Sequence, residues 1–187
     1  MSRREADYWA CRKSLRLWPM GEGPDHEEAV KFMSERLLLD SSTIKCLGDF
    51  KVQRVPFGPK TKYKNEVLVR FLSVEARDVV RAAATNLAGS GPDVGVRLEV
   101  PNHLRAGMKA LQSLSFELKS KHYGTRRNIL YDDEALDLVL DFCIEEGKWR
   151  RVSADQACAR KKAGQTSSGD RFRMDDEELD RILGISQ

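Results

Sequence analysis

The chain has no run of apolar residues near the eighteen or so that a membrane span needs. Its first residues, MSRREADYWACRKS, contain no leader-like apolar stretch, so neither a spanning helix nor a secretory signal is expected. No Cys-x-x-Cys pair occurs: Cys11, Cys46, Cys143 and Cys158 are scattered, against the common zinc and redox spacings, and they read as reduced thiols. Histidine is scarce. His26, His103 and His122 stand far apart and none is at metal-ligand spacing from a cysteine, so neither a metal nor a cofactor is expected. There is no heptad run for a coiled coil and no internal repeat. The glycine-rich string GSGPDVG follows a helical pattern and contains Pro92, the wrong context for a phosphate cradle. The expected location is the cytoplasm, and also the nucleus.

What is present is enough for a core. The 187 residues are 41% hydrophobic and 33% charged, the composition of one or two compact units with a charge-rich surface. Net charge is only +3, but its distribution is uneven. Residues 45–81 hold nine Lys/Arg against four Asp/Glu, and residues 105–127 hold six against one. Residues 128–146 reverse this with seven acids and no base, and residues 148–162 return to six bases and one acid. Such blocks suit a basic binding face and an acidic outer face, or simply a solvated surface.

The apolar pattern alternates between two periods. SLRLWPM reads as a strand ended by Pro19. PDHEEAVKFMSERLLL reads as a helix with Asp25 as N-cap and Glu28 completing a capping box. A strand over residues 50–55 and the strand NEVLVRF follow, separated by a basic loop. Ser73 caps a helix whose apolar face is Ala76, Val79, Val80, Ala83 and Leu87, with Arg77 and Arg81 on another face. VRLEV closes the series. The order βαββαβ predicts an α+β fold of the ferredoxin-like split βαβ type: a four-stranded antiparallel sheet covered on one face by two helices, the other face free to bind.

A small α/β C-terminal domain is expected next. Pro101 opens a helix with Leu104, Met108, Leu111, Leu114 and Leu118 in a stripe and Arg105, Lys109, Gln112 and Lys119 opposite; Gly124 is available to end it. NILYDDEALDLVLDFCI offers strand material, EEG a turn and KWRRV a partner strand. Ser153 with Gln156 makes a second capping box. The division is thus an N-terminal extension at 1–13, a first domain at 14–100, a second at 101–163 and a flexible acidic tail at 164–187. The tail string DDEELDRILGI could form a weakly amphipathic helix, marginal alone.

The third strand of an RNA-recognition motif follows K/R-G-F/Y-G/A-F-V-x-F/Y. Laid on KNEVLVRF, this pattern puts Val67, Val69 and Phe71 in the core and Lys64, Glu66, Leu68 and Arg70 on the open face. Both stacking aromatics are missing. On the first strand Arg16 stands where an aromatic is usual, and Trp18, two residues on, shares its face. Arg16 and Arg70 then read either as phosphate contacts or as ordinary solvent-facing arginines. Trp18 reads as a base platform or as packing. The acids Asp132, Asp133, Glu134, Asp137 and Asp141 raise metal-assisted nuclease chemistry, but no basic or histidine partner is evident beside Asp137 and Asp141, and no enzyme is expected.

The strings SLRLWPM, QRV, EVLVRFLSVEARDVVRAAATNL, VRLEV, LKSKHYGTRRNILY and EGKWRRVSADQA, in this order over residues 14–160, resemble the RNA-binding protein of the first open reading frame of LINE-type retrotransposons, the transposase type 22 family. The resemblance implies an RRM-like domain followed by a small C-terminal domain, forming a cleft for single-stranded RNA; single-stranded DNA is a further candidate partner. It implies a cytoplasmic ribonucleoprotein and nucleic-acid chaperone activity. By local match it makes Arg16, Arg81, Lys109 and either Arg126 or Arg127 the important basic positions. The chain departs from the family in three ways: it lacks the coiled coil that makes trimers, which puts oligomerisation in doubt; it has RAAA for the usual RAAR; and it carries an unmatched acidic tail. The alternative function is a protein–protein interaction module of a truncated or domesticated element.

Overall fold

The computed structural model describes residues 1–56, 63, 65–121, 126–143 and 149–165. The chain divides into two compact units, Met1–Pro101 and Asn102–Gln187. The fold is mixed α and β, and no helix among the described residues is long and apolar enough to cross a membrane.

Unit 1 opens with α1 (Arg3–Arg12), started by a capping box in which Ser2 and Glu5 exchange bonds of 2.5 and 3.2 Å. The N-terminal extension, which reads as polar and able to form a short helix, is this helix, and its Tyr8 is fully buried. β1 (Ser14–Trp18) follows, then α2 (Asp25–Glu35), α3 (Ser41–Cys46), β2 (Phe50–Arg54), β3 (Val67–Phe71), α4 (Val74–Ala83), a 3-10 turn (Ala84–Leu87) and β4 (Gly95–Leu98). The four strands form one antiparallel sheet in the order β2-β3-β1-β4. Leu15 and Leu17 pair with Val69 and Val67. All four side chains are fully buried, because alternate residues of paired strands share a face. Ala29, Phe32 and Met33 of α2 and Ala76 and Val80 of α4 supply the helix side of this core.

Three local expectations give way to stronger partners. Asp25 is not the N-cap of α2: Pro24 is, with no side-chain cap bond, because its fixed φ starts the helix one residue earlier. The Asp25 carboxylate instead takes Arg54 Nε at 2.9 Å, and Glu28 accepts from Gly21 N at 2.9 Å. The residues before β2, to which the sequence pattern assigns no element, form α3; Asp40 caps it, accepting from Ser42 Oγ at 2.5 Å and Thr43 N at 2.8 Å, and these bonds hold its carboxyl below the usual range. In α4 the inward stripe takes Arg77, 5% exposed and bridged to Asp78 at 2.6 Å, while Val79 is 41% exposed. β3 starts at Val67, two residues later than its pattern, because Asn65 is left-handed (φ 54) and gives its carbonyl to Met20 N at 2.9 Å.

Unit 2 contains a 3-10 turn (Asn102–Leu104), α5 (Arg105–Lys121), β5 (Arg126–Asp132), β6 (Asp137–Cys143), β7 (Trp149–Ser153) and α6 (Ala154–Gln165). The strands form an antiparallel sheet in the order β5-β6-β7. The stretch that reads as strand material over residues 128–144 holds the β5–β6 hairpin up to Cys143: Asp132 Oδ1 accepts from the amides of Glu134 and Ala135 at 3.1 and 3.2 Å and turns the chain. The capping box at α6 forms as its sequence suggests, with Ser153 N donating to Gln156 Oε1 at 2.9 Å and Gln156 N to Ser153 Oγ at 3.2 Å. α5 and α6 approach closely at Gly107, where an added Cβ would fall inside contact distance of the Ala154 methyl and 3.2 Å from its Cα. α6 runs through Gln165, two residues into the stretch read as linker. The expected terminator Gly124, the EEG turn and the acidic tail from residue 166 lie outside the described residues.

Candidate nucleic-acid interface

The face of the unit 1 sheet turned away from Leu15 and Leu17 is set by register. Arg16 stands between Leu68 and Arg97, and Leu68 is opposite Gln53. One row along, Ser14 is opposite Arg70 and Arg70 opposite Lys51. On the other side of the Arg16 row lie Trp18, opposite Gly95, and Glu66, which accepts Val55 N through its carbonyl at 2.8 Å.

Arg16 is not a free cation. Its Nε and Nη2 donate to the two oxygens of Glu99, the latter at 2.9 Å, and its Nη1 donates to Glu66 Oε2 at 3.2 Å. The Glu99 bond, ahead of all other effects, raises the guanidinium pKa further, so the charge is permanent. Glu66, expected on the exposed face, is fully buried. A carboxylate there requires pairing, and Arg97 completes it, with Nη2 and Nε reaching Glu66 Oε1 at 2.7 and 3.1 Å.

Trp18 is covered rather than open. It is 7% exposed, its Nε1 donates to Pro92 O at 3.3 Å, and Tyr63 stacks on it at 4.3 Å and 10°. The Arg97 guanidinium sits 5.8 Å from the Trp18 ring centre and 5.9 Å from that of Tyr63. Half-buried Tyr63 is thus the outer ring of the stack.

Arg70 is exposed, as the alternation of β3 suggests, and so is Lys51 directly across from it. No described residue forms an ion pair with either. Two like charges directly opposite on neighbouring strands repel, so the pair is a local cost to the fold. The described open face carries four cations, Arg16, Lys51, Arg70 and Arg97, against two carboxylates, Glu66 and Glu99.

The other sequence candidates are distributed. Arg81 is half-buried in the last turn of α4, in the helix layer rather than on the open sheet face. Lys109 is exposed on α5 of unit 2. The backbones of Arg126 and Arg127 lie in β5 opposite Cys143 and Phe142. Lys64 falls outside the described residues. In the acidic region the basic partner not evident from the sequence is Arg151, which reaches Asp132 at 2.8 Å and Asp141 at 3.1 Å. Asp137 is apart from them, 9% exposed, with its pKa raised mainly by burial and its Oδ1 accepting Leu138 N at 2.7 Å. Among the described residues no group of three or more His, Cys, Asp or Glu is placed to hold a metal ion.

Sequence reasoning missed Lys51, Tyr63, Arg97 and Glu99. The alternation FKVQR in β2 and GVRL in β4 carries the signal for Lys51 and Arg97; the stacking of Tyr63 on Trp18 has no local signal, because it joins residues 45 positions apart. No family model matches this chain, and no curated protein matches it.

Proposed function

We propose that the chain is a non-enzymatic binder of single-stranded nucleic acid, RNA before DNA, and that unit 1 is an RRM-like domain using its open sheet face. The strand order β2-β3-β1-β4, with α2 and α4 packed on the face of Leu15 and Leu17, supports the architecture. The observation that carries the function is the cross-strand couple Lys51–Arg70, which has no ion-pair partner among the described residues. A fold that keeps two repelling cations side by side gains most when a phosphate comes between them.

Arg16 has a different part in this proposal from the one its position suggests. With Glu66 and Glu99 it holds Arg97 beside the Trp18–Tyr63 stack, and Tyr63 presents its outer side to a base, a contact worth about 1–3 kcal/mol. The LINE-type first-open-reading-frame protein, packaging RNA and acting as a chaperone, remains the family reading that suits such a surface; it rests on the sequence strings alone. The second reading, a protein-docking module, is favoured by the pairing of Arg16 and the burial of Trp18.

Titration of labelled single-stranded RNA at several salt concentrations separates the two. Three cationic contacts, Lys51, Arg70 and Arg97, give a log–log salt slope of roughly −2 at about −0.7 per contact. No binding at low salt would reject the nucleic-acid function.

A further inference from the structure

Unit 2 has an open groove between α5 and α6. Its floor is Ala110, Leu114 and Ala157, and it encloses about 230 Å³. A shallower hollow continues from it over Lys109, Gln112 and Phe116. Phe116 is 74% exposed, the most exposed large apolar side chain of this unit among the described residues. Lys109 on one helix and Lys161 on the other are exposed, and no described residue forms an ion pair with either. Arg160, deeper in the wall, is bridged to Glu117 at 3.3 Å. An aliphatic floor between two unpaired lysines asks for a ligand with an apolar stripe flanked by carboxylates.

We infer that this groove receives an acidic amphipathic helix, and that its occupant is the chain's own residues 174–185, MDDEELDRILGI. That segment lies outside the described residues, and only its sequence enters. Leu179, Ile182 and Leu183 are spaced i, i+3, i+4, which puts them on one side of a helix. Asp175, Asp176, Glu177, Glu178 and Asp180 supply the carboxylates. A twelve-residue helix is marginal alone, so it needs a surface such as this to bury its stripe. Phe116 offers a ring at the rim, but the aliphatic floor of Ala110, Leu114 and Ala157 is matched by an apolar stripe rather than by polar nucleotide edges.

The connection is long enough. Residues 166–173 separate the end of α6 from the segment; a chain of eight residues spans about 14–17 Å on average as a coil and at most about 29 Å. Lys161 lies about 6 Å, one helical turn, before the end of α6. A tether of this length gives an effective concentration in the millimolar range, so even weak docking is populated. Docking neutralises Lys109 and Lys161 and takes Lys109 away from any polyanion, but it stands independently of the nucleic-acid function.

Amide hydrogen exchange on the full chain, without nucleic acid, tests the docking. Residues 174–185 and α5 around residues 113–117 should exchange severalfold more slowly in the wild type than in L179D/I182D. A K109E/K161E variant should lose the same protection. Exchange of 174–185 at unprotected rates in the wild type, or protection that survives both variants, would overturn the proposal. Protection of the groove only when single-stranded RNA is added, with 174–185 unprotected throughout, would assign the groove to nucleic acid and overturn it equally.

Discussion

Lys51 and Arg70 face each other across β2 and β3 on the open side of the unit 1 sheet, both exposed and with no carboxylate bridged to either among the described residues. Substitution there separates stability from binding. Lys51→Glu turns a repulsive pair into an attractive one and should raise stability by about 0.5 kcal/mol while weakening RNA binding. Paired denaturant and binding titrations should therefore move in opposite directions; a loss of both would mean that Lys51 supports the fold.

Glu66 is the hub of the charged cluster, one carboxylate oxygen to Arg16 and the other to Arg97. Glu66→Ala leaves Arg97, 40% exposed, to water, and Arg16, 15% exposed, with Glu99 alone. Removing one partner of a buried pair costs about 3–5 kcal/mol, and the remaining Glu99 bond places this case near 3. The urea midpoint would measure it. A change below about 0.5 kcal/mol would show that the cluster contributes little.

In unit 2 the α5–α6 crossing depends on the absence of a side chain at Gly107. Gly107→Ala should destabilise by about 1–3 kcal/mol, since the only yielding neighbours are the methyl and backbone of Ala154. Ser153→Ala, which removes half of the α6 capping box, should cost about 1 kcal/mol. Thermal unfolding followed by circular dichroism would rank the two.

Cys11 is 8% exposed, and its thiol is pushed from 9.0 up to about 12, by burial first and then by the charge of Asp7. Between these values the unfolded thiol ionises while the folded one keeps its proton, so Cys11 lowers stability progressively as pH rises above about 9. The wild type should therefore lose more stability than Cys11→Ala between pH 8 and 10. Alkylation at pH 8 should also label exposed Cys46 well before Cys11. Equal labelling rates would contradict the burial.

The unit 1 strands, β7, α2, α4, α5 and the Ser153 cap were legible because each writes its own period or cap into consecutive residues; the β5–β6 hairpin was not, because its turn rests on Asp132 binding the amides that follow it. Arg77 was misplaced for the same reason. An arginine at an inward position of α4 breaks the apolar pattern, and its bond to Asp78 compensates in a way periodicity does not see. α3 was missed because six residues are too few to show a period, although Asp40 before a serine pair was a usable cap signal. The sheet face was legible as alternation but not as chemistry. That Arg16 meets Glu99 and Trp18 meets Tyr63 depends on register and loop path, which are decided by contacts remote in sequence.

The most direct test of the account compares wild type and K51E/R70E in a fluorescence titration with labelled single-stranded RNA at one low salt concentration. Circular dichroism would confirm that both are folded. The account predicts that the double variant binds at least about tenfold more weakly, a loss of roughly 1.4 kcal/mol or more, with a shallower salt slope. Equal affinity and equal slope would contradict it.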